Sequence, residues 1–131
     1  MNRLCVLAFI ATISATAATA DPCEAQLPKV GTVFEGYVRY VGDGDSLCVG
    51  NTANPAEWIE VRVADFYAPE LHAPGGVTAK STLERISMGK AAHCIAGKRS
   101  YDRTVAQCTI DGASIGDLMR RAGVSEGGRG R

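Results

Sequence analysis

Arg62, Glu70 and Arg103 could act together on a phosphate group. A guanidinium stays charged at neutral pH and presents a planar pair of N–H groups that matches two phosphate oxygens. Two such groups could bind a phosphodiester and stabilise the charge that develops on phosphorus during attack. A carboxylate between them could accept a proton from the attacking water. Each residue alone is more simply a surface residue, so the hypothesis depends on their convergence.

Asp43-Gly44-Asp45 places two carboxylates on one turn. Hard cations such as Ca²⁺ bind several oxygen ligands, and a turn of this kind can supply them. Asp and Gly also favour turns for backbone reasons alone, so a plain hairpin turn is the simpler interpretation of the tripeptide.

The pattern around these residues predicts five strands and two helices. Strands are predicted at 30–41, 45–49, 58–64, 91–95 and 104–110, and helices at 77–88 and 114–122. The third strand alternates most clearly, because Val61 and Val63 point one way and Glu60 and Arg62 the other. This order is typical of an OB barrel. The predicted fold is mainly β (α+β): a five-stranded OB barrel with a helix between strands 3 and 4 and a C-terminal helix.

Finer features are also predicted. Gly36 inside the first strand indicates a bulge or a sharp bend. The polar segment 97–102 indicates a turn between the fourth and fifth strands. Ser114, with Asp117 three residues later, resembles a capping box that opens the last helix. The side chains that this helix should turn inward are Ile115, Leu118, Met119 and Ala122.

The composition is that of one ordinary globular domain. The chain has 131 residues, 46% of them hydrophobic and 21% charged, with 14 basic and 14 acidic side chains. This balance excludes a disordered charged tail and a polybasic nucleic-acid coat protein. Residues 21–97 carry a net charge of −4 and residues 98–131 a net charge of +3. The two parts are either solvated faces or a metal-binding half opposed to a phosphate-binding half.

The first twenty residues have the composition of a cleavable signal peptide. Arg3 precedes an apolar run that is too short to span a membrane, and Ala18-Thr19-Ala20 has the small-x-small form of a cleavage site. A buried N-terminal helix is the alternative interpretation. Residues 1–20 are therefore predicted to be removed, and residues 21–131 to form one secreted or periplasmic domain.

Export would leave four cysteines in an oxidising compartment, which predicts disulfides. Cys94 and Cys108 lie on consecutive strands that should pair, so they are predicted to be joined. Cys48 alternates away from the core side of its strand, where the N-terminal segment with Cys23 could cross it. Four free thiols are one alternative. A zinc site is another, and its ligands would be Cys94 with His93 or His72.

Five segments in order resemble the staphylococcal nuclease (thermonuclease) family. They are 43–47 (DGDSL), 61–63 (VRV), 68–70 (APE), 101–106 (YDRTVA) and 112–118 (GASIGDL). The resemblance covers roughly residues 31–124. It implies a five-stranded OB barrel and Ca²⁺-dependent hydrolysis of phosphodiester bonds in DNA and RNA.

The resemblance also implies roles for individual residues. Arg62 and Arg103 match the two catalytic arginines, and Glu70 matches the catalytic glutamate. Asp45 matches a calcium-binding aspartate. Ala68 matches the residue whose backbone carbonyl binds the metal.

One departure from the family concerns Tyr67, which stands where the family has a second calcium-binding aspartate. A phenol is a poorer ligand for Ca²⁺ at neutral pH than a carboxylate. Asp65 lies two residues earlier in an extended segment, so it is the candidate replacement.

Two hypotheses about function follow. The first is a secreted, monomeric nuclease that acts on nucleic acid with Ca²⁺, and the joint presence of Arg62, Glu70 and Arg103 favours it. The second is a non-catalytic OB module that binds single-stranded nucleic acid or a polysaccharide, and Tyr67 favours it. Aromatic residues make up only 6% of the chain, which provides few stacking platforms for such a module.

Overall fold

The computed structural model describes residues 21–127. The predicted signal peptide, residues 1–20, lies outside the described residues. No helix within 21–127 is long and apolar enough to cross a membrane.

The described chain is mainly β, and its elements follow the predicted order with one short strand added. They are β1 (Val33–Asp43), β2 (Ser46–Gly50), β3 (Ile59–Val63), α1 (Gly76–Ser87), β4 (Ala91–Ser100), β5 (Arg103–Ile110), β6 (Ala113–Ser114) and α2 (Ile115–Arg121). A single 3-10 turn, Pro55–Glu57, precedes β3. The two helices and one sheet give an α+β fold, as predicted.

The strands form one sheet in the order β3-β2-β1-β4-β5-β6, and a parallel pairing of β3 with β5 closes five of them into a ring. The length of β1 allows this closure, since residues 33–37 pair with β4 and residues 37–43 pair with β2. The parallel contact sets Val61 beside Thr104. The ring therefore brings the polar face of β3 next to the start of β5.

A single cluster of buried apolar side chains joins the strands to both helices. The predicted alternation of β3 is confirmed, because Val61 and Val63 are fully buried within this cluster. Leu83 of α1 and Met119 of α2 are also fully buried. Burial of a side chain of this size contributes roughly 2 kcal/mol through loss of apolar surface, so the packing holds both helices against the sheet.

Two local predictions about the strands are corrected by the structure. The irregular pairing in β1 falls near Arg39 and Gly42, whereas Gly36 allows a close approach: a Cβ there would lie 3.0 Å from the Gly50 nitrogen. Strand β4 extends to Ser100, so the predicted 97–102 turn shrinks to two residues. This end of the hairpin is exposed to water, and polar side chains there do not indicate a strand by hydrophobicity.

The second helix ends earlier than its apolar pattern indicates. Ala122 is exposed because it follows the last helical residue, and Gly123, with a φ of 85°, reverses the chain. Val124 then folds back and its N–H donates to the Met119 carbonyl. The predicted cap is present, since the Ser114 hydroxyl accepts from the Asp117 N–H at 3.1 Å.

Two disulfides connect the expected cysteines. Cys94 and Cys108 are directly paired residues of β4 and β5 and lie inside the core. Cys23 is joined to Cys48 on the opposite face of β2 from Leu47, where the N-terminal segment covers it completely. The alternatives of four free thiols and of a zinc site at Cys94 are therefore wrong.

Candidate active-site cleft

An open cleft of about 480 Å³ brings together five of the residues predicted for the site. They are Asp45, Arg62, Ala68, Glu70 and Arg103. The ring explains this convergence, because it sets the end of β3 beside the start of β5. The turn between β1 and β2 lies against the end of β3, since the Val63 N–H donates to the Asp45 carbonyl at 2.7 Å.

Asp43 stabilises the turn between β1 and β2. Its Oδ1 accepts from the Asp45 N–H at 3.0 Å and from the Ser46 hydroxyl at 2.9 Å. These two bonds hold the carboxylate in a capping arrangement typical of hairpin turns. The simpler interpretation of the tripeptide is therefore correct for Asp43, and the turn fixes the position of Asp45.

Asp45 is buried and bonded on two sides. Its Oδ2 accepts from the Ala68 N–H at 2.9 Å and lies 3.2 Å from Nη2 of Arg62. Burial, followed by the nearby charge of Asp43, raises the pKa of Asp45 to about 7, while Arg62 and the Ala68 N–H oppose the shift. The ion pair therefore compensates only part of the cost of burying this carboxylate.

The Arg62 guanidinium is fixed by its surroundings. Nη1 donates to the carbonyls of Val63 and Phe66, the latter at 2.9 Å, and Nη2 faces Asp45. The ring of Tyr67 lies over the guanidinium, with 4.8 Å from Cζ to the ring centre. Cation–π contact of this kind adds to the hydrogen bonds, so Arg62 is held in one position.

Tyr67 is itself held by the C-terminal segment. Its N–H donates to the Glu126 carboxylate at 3.0 Å, and its carbonyl accepts from the Gly127 N–H at 3.0 Å. These contacts keep the loop after β3 closed over Arg62. At the position where the family would have a metal-binding carboxylate, this chain has a ring that covers an arginine.

Asp65 does not join Asp45, contrary to the expectation from the sequence. Its Oδ1 accepts from the Gly116 N–H at 3.2 Å, and its backbone carbonyl accepts from Arg120 at 2.9 Å. A Cβ at Gly116 would lie 2.5 Å from the carboxylate, so only glycine allows this close packing on α2. The loop after β3 turns Asp65 toward α2 and away from the cleft.

The side chains present do not fit a Ca²⁺ ion. Such an ion takes roughly six to eight oxygen ligands, commonly with several carboxylates. The Oδ2 atom of Asp45 is bonded to Ala68 and Arg62, and Asp65 faces α2. Within residues 21–127, no three His, Cys, Asp or Glu side chains form a group that could hold a metal ion.

The side chains of Glu70 and Arg103 have fewer contacts than that of Arg62. Both line the cleft, Glu70 is exposed and Arg103 is half-buried. In the described part of the chain, neither side chain forms a hydrogen bond or an ion pair. A bound phosphate could therefore be reached by the Arg103 guanidinium without breaking an existing contact.

Comparison with models of known protein families gives no match, and comparison with characterised proteins gives no significant match. Membership of the staphylococcal nuclease family therefore stays a prediction that depends on the five segments.

Lys98 and Tyr101 line the cleft beside Arg103, although neither was predicted as a site residue. Tyr101 is 91% exposed and adopts a left-handed conformation with a φ of 55° at the tip of the β4–β5 hairpin. The change to net positive charge after Gly97 is the sequence signal that could have identified this rim.

Proposed function

We propose that this protein is a nuclease that hydrolyses phosphodiester bonds of nucleic acid in the cleft. The observation that supports the proposal is the convergence of Arg62 and Glu70 with Arg103, which comes from a distant part of the sequence, around one open space. Lys98 adds a further positive charge at the rim. A phosphate in this cleft would meet cations on two sides and one exposed carboxylate.

Arg103, Arg62 and Glu70 have separate roles in the proposed reaction. Arg103 binds a non-bridging phosphate oxygen and stabilises the charge that develops there, because its donors are free. Arg62 contributes a fixed positive charge. Glu70 accepts a proton from water as the water oxygen attacks phosphorus, and the P–O bond to the leaving sugar oxygen breaks. The leaving oxygen takes a proton from solvent.

The proposal assigns no step to a metal ion, because the donor set does not fit one. The calcium requirement implied by the family resemblance stays a prediction. It is tested by measuring cleavage with Ca²⁺ and with a chelator, each at the same ionic strength.

The proposal also includes that the protein is exported and that its fold is an OB barrel. The two disulfides agree with an oxidising compartment, and the five-stranded ring with β1 shared between two neighbours agrees with an OB barrel. A secreted or periplasmic monomer is the form expected.

The experiment is cleavage of plasmid DNA and of RNA by the purified protein. Glu70→Gln should lower the rate at least about 100-fold, because the amide cannot accept the proton. Glu24→Gln is the matched control, since Glu24 is exposed and outside the cleft, and it should cleave normally. Equal rates in the two variants would remove Glu70 from the mechanism.

A non-catalytic module that binds single-stranded nucleic acid is the second candidate. The cover of Tyr67 over Arg62 and the exposed ring of Tyr101 favour it, since aromatic faces stack on bases. Binding of a single-stranded oligonucleotide without cleavage, with or without Ca²⁺, would select this candidate.

A further inference from the structure

A row of side chains on the outer face of the ring connects the N-terminal segment to Arg103. Cys48 of β2 is the paired residue of Glu60 in β3. Val61 pairs with Thr104 in parallel, so Glu60 and Arg103, each one residue earlier, lie level on the opposite face. The row across β2, β3 and β5 is therefore Cys48, Glu60 and Arg103.

Residues 21–25, named here the N-terminal strap, cover the part of this row formed by Cys48 and Glu60, both of which are buried. The Cys23–Cys48 disulfide fastens the strap to β2. The Glu24 N–H donates to the Pro55 carbonyl and the Ala25 N–H to the Trp58 carbonyl, both at 3.0 Å. Three attachments within three residues hold the strap in one position.

The strap places the Asp21 carboxyl group against Glu60. Glu60 and the Tyr40 hydroxyl both lie close enough to the Asp21 carboxyl group for Asp21 to raise their pKa values. A Cβ at Gly42 would lie 2.8 Å from both Asp21 oxygens, so the Asp21 carboxyl group packs directly against the β1–β2 turn. Glu60 is only 7% exposed in this arrangement, which is unusual for a glutamate without a paired cation.

The groups that face Glu60 favour its protonated form. Burial, the hydrogen bond to Asp21 and the charges of Asp102 and Asp21 raise the pKa of Glu60 to about 7, and Arg103 opposes the shift. Two carboxyl groups at close range repel one another when both are ionised, so their proximity favours a proton on the more buried one. Loss of that proton would add one negative charge beside Arg103.

We infer that Glu60 is a positioning residue that acts through Arg103: while buried Glu60 holds a proton beside strap-bound Asp21, the Arg103 guanidinium faces a phosphodiester without a competing anion. This role rests on the proposed function, because it assigns Arg103 to the phosphate. Ionised Glu60 attracts the guanidinium and repels the phosphate, so binding weakens as the proton leaves.

The first test is binding of a five-residue oligo-thymidylate without a terminal phosphate, between pH 5.5 and 8.5. Its diester charges do not titrate in this range. The Glu70→Gln background prevents cleavage during the measurement. Affinity should fall roughly fivefold through about pH 7, as expected for one added charge in a partly solvated site. Asp45 lines the same cleft and its pKa is also raised to about 7, so it contributes part of the fall in every protein compared. The further change Glu60→Gln should make the fall clearly smaller, whereas the matched change Glu24→Gln should leave its size unchanged.

Asp45 is present in all these proteins, so the difference made by Glu60→Gln belongs to Glu60 alone. A fall of the same size in the Glu60→Gln protein would overturn the inference. Asp21→Asn should move the fall to lower pH, because the charge of Asp21 no longer opposes ionisation of Glu60. If the affinity of the Asp21→Asn protein falls at the same pH as that of the wild-type protein, the strap does not influence the ionisation of Glu60.

The second test needs no nucleic acid. The side-chain carboxyl carbon of Glu60, followed by NMR, should titrate near pH 7 in the wild-type protein and at lower pH in Asp21→Asn. Titration of Glu60 in the ordinary carboxyl range in the wild-type protein would contradict the inference. Because this readout is independent of cleavage, failure of the inference and failure of the proposed nuclease function can be told apart.

Discussion

Arg62 and Arg103 line the same cleft from neighbouring strands, yet their guanidinium groups have different surroundings. Arg62 contacts two backbone carbonyls, a buried carboxylate and an aromatic ring. Arg103 lies at the rim and forms no hydrogen bond in the described chain. The two sides are called here the fixed edge, with Asp45, Arg62 and Tyr67, and the open edge, with Lys98, Tyr101 and Arg103.

The difference follows from where the edges lie. The fixed edge is the place where the β1–β2 turn, β3 and the loop after β3 meet, and the C-terminal segment holds that loop. The open edge lies at the end of a hairpin that projects into water. A fixed cation loses little conformational entropy when a phosphate binds, whereas a free one can follow the charge as it develops. The comparison predicts that the fixed edge matters for stability and the open edge for turnover.

Arg103→Lys should have the largest effect on activity. An ammonium cannot reproduce the two parallel N–H groups of a guanidinium, so nucleic-acid cleavage should fall at least about 100-fold. The thermal midpoint should stay close to that of the wild-type protein, because the side chain has no hydrogen bond or ion pair to lose and lysine keeps the positive charge near Glu60. An unchanged cleavage rate would remove Arg103 from the mechanism and leave the open edge without a catalytic role.

Arg62→Ala should have the largest effect on stability. It leaves Asp45 buried without its cation, and breaking such a pair costs about 3 kcal/mol of unfolding free energy. Arg103→Ala is the matched comparison and should cost less than about 1 kcal/mol. Urea unfolding of the two variants measures both values. Equal losses would show that the two edges do not differ as the contacts indicate.

Tyr67→Asp should convert the fixed edge toward a calcium site. The change removes the ring that covers Arg62. It also adds a second carboxylate to the loop after β3, whose Ala68 N–H donates to Asp45. Ca²⁺ affinity increases with the number of charged ligands. Calcium titration by calorimetry should show binding at least about tenfold tighter than in the wild-type protein. Tyr37→Asp, an exposed tyrosine that does not line the cleft, is the control. Tight binding by the wild-type protein would contradict the assignment of a poor donor set.

Asp65→Asn should have the smallest effect. Calcium binding should not change, because the carboxylate faces α2. The unfolding free energy should fall by about 1 kcal/mol, since the bond from the Gly116 N–H and the attraction to Arg120 weaken. Asp111→Asn, at an exposed turn, is the control and should change neither quantity. A loss of calcium binding in Asp65→Asn would show that Asp65 does reach the metal.

Much of the fold could be predicted from local patterns. The alternation of β3, the capping serine of α2 and the order of strands and helices depend on contacts between residues near in sequence. Boundaries were predicted less well: the end of β4 is polar because it projects into water, so hydrophobicity did not indicate a strand there. Ala122 was predicted inward because an apolar residue at helical spacing does not show that the helix has already ended.

The sequence by itself determined the types of residue available for chemistry and the faces on which they stand. Arg62 had to lie on the polar face of β3, and Cys94 and Cys108 could meet as soon as their strands paired. These results need only the periodicity of a strand and the oxidising compartment that the sequence predicts.

Only the tertiary structure decided which of these side chains meet. The parallel contact between β3 and β5 places Arg103 beside Glu60, and the packing of Gly116 turns Asp65 away from Asp45. The strap buries Glu60, which looked like an ordinary solvated residue of an alternating strand. Sequence spacing could not show these results, because each depends on how segments distant in the chain exclude water from one another and fix the distance between charges.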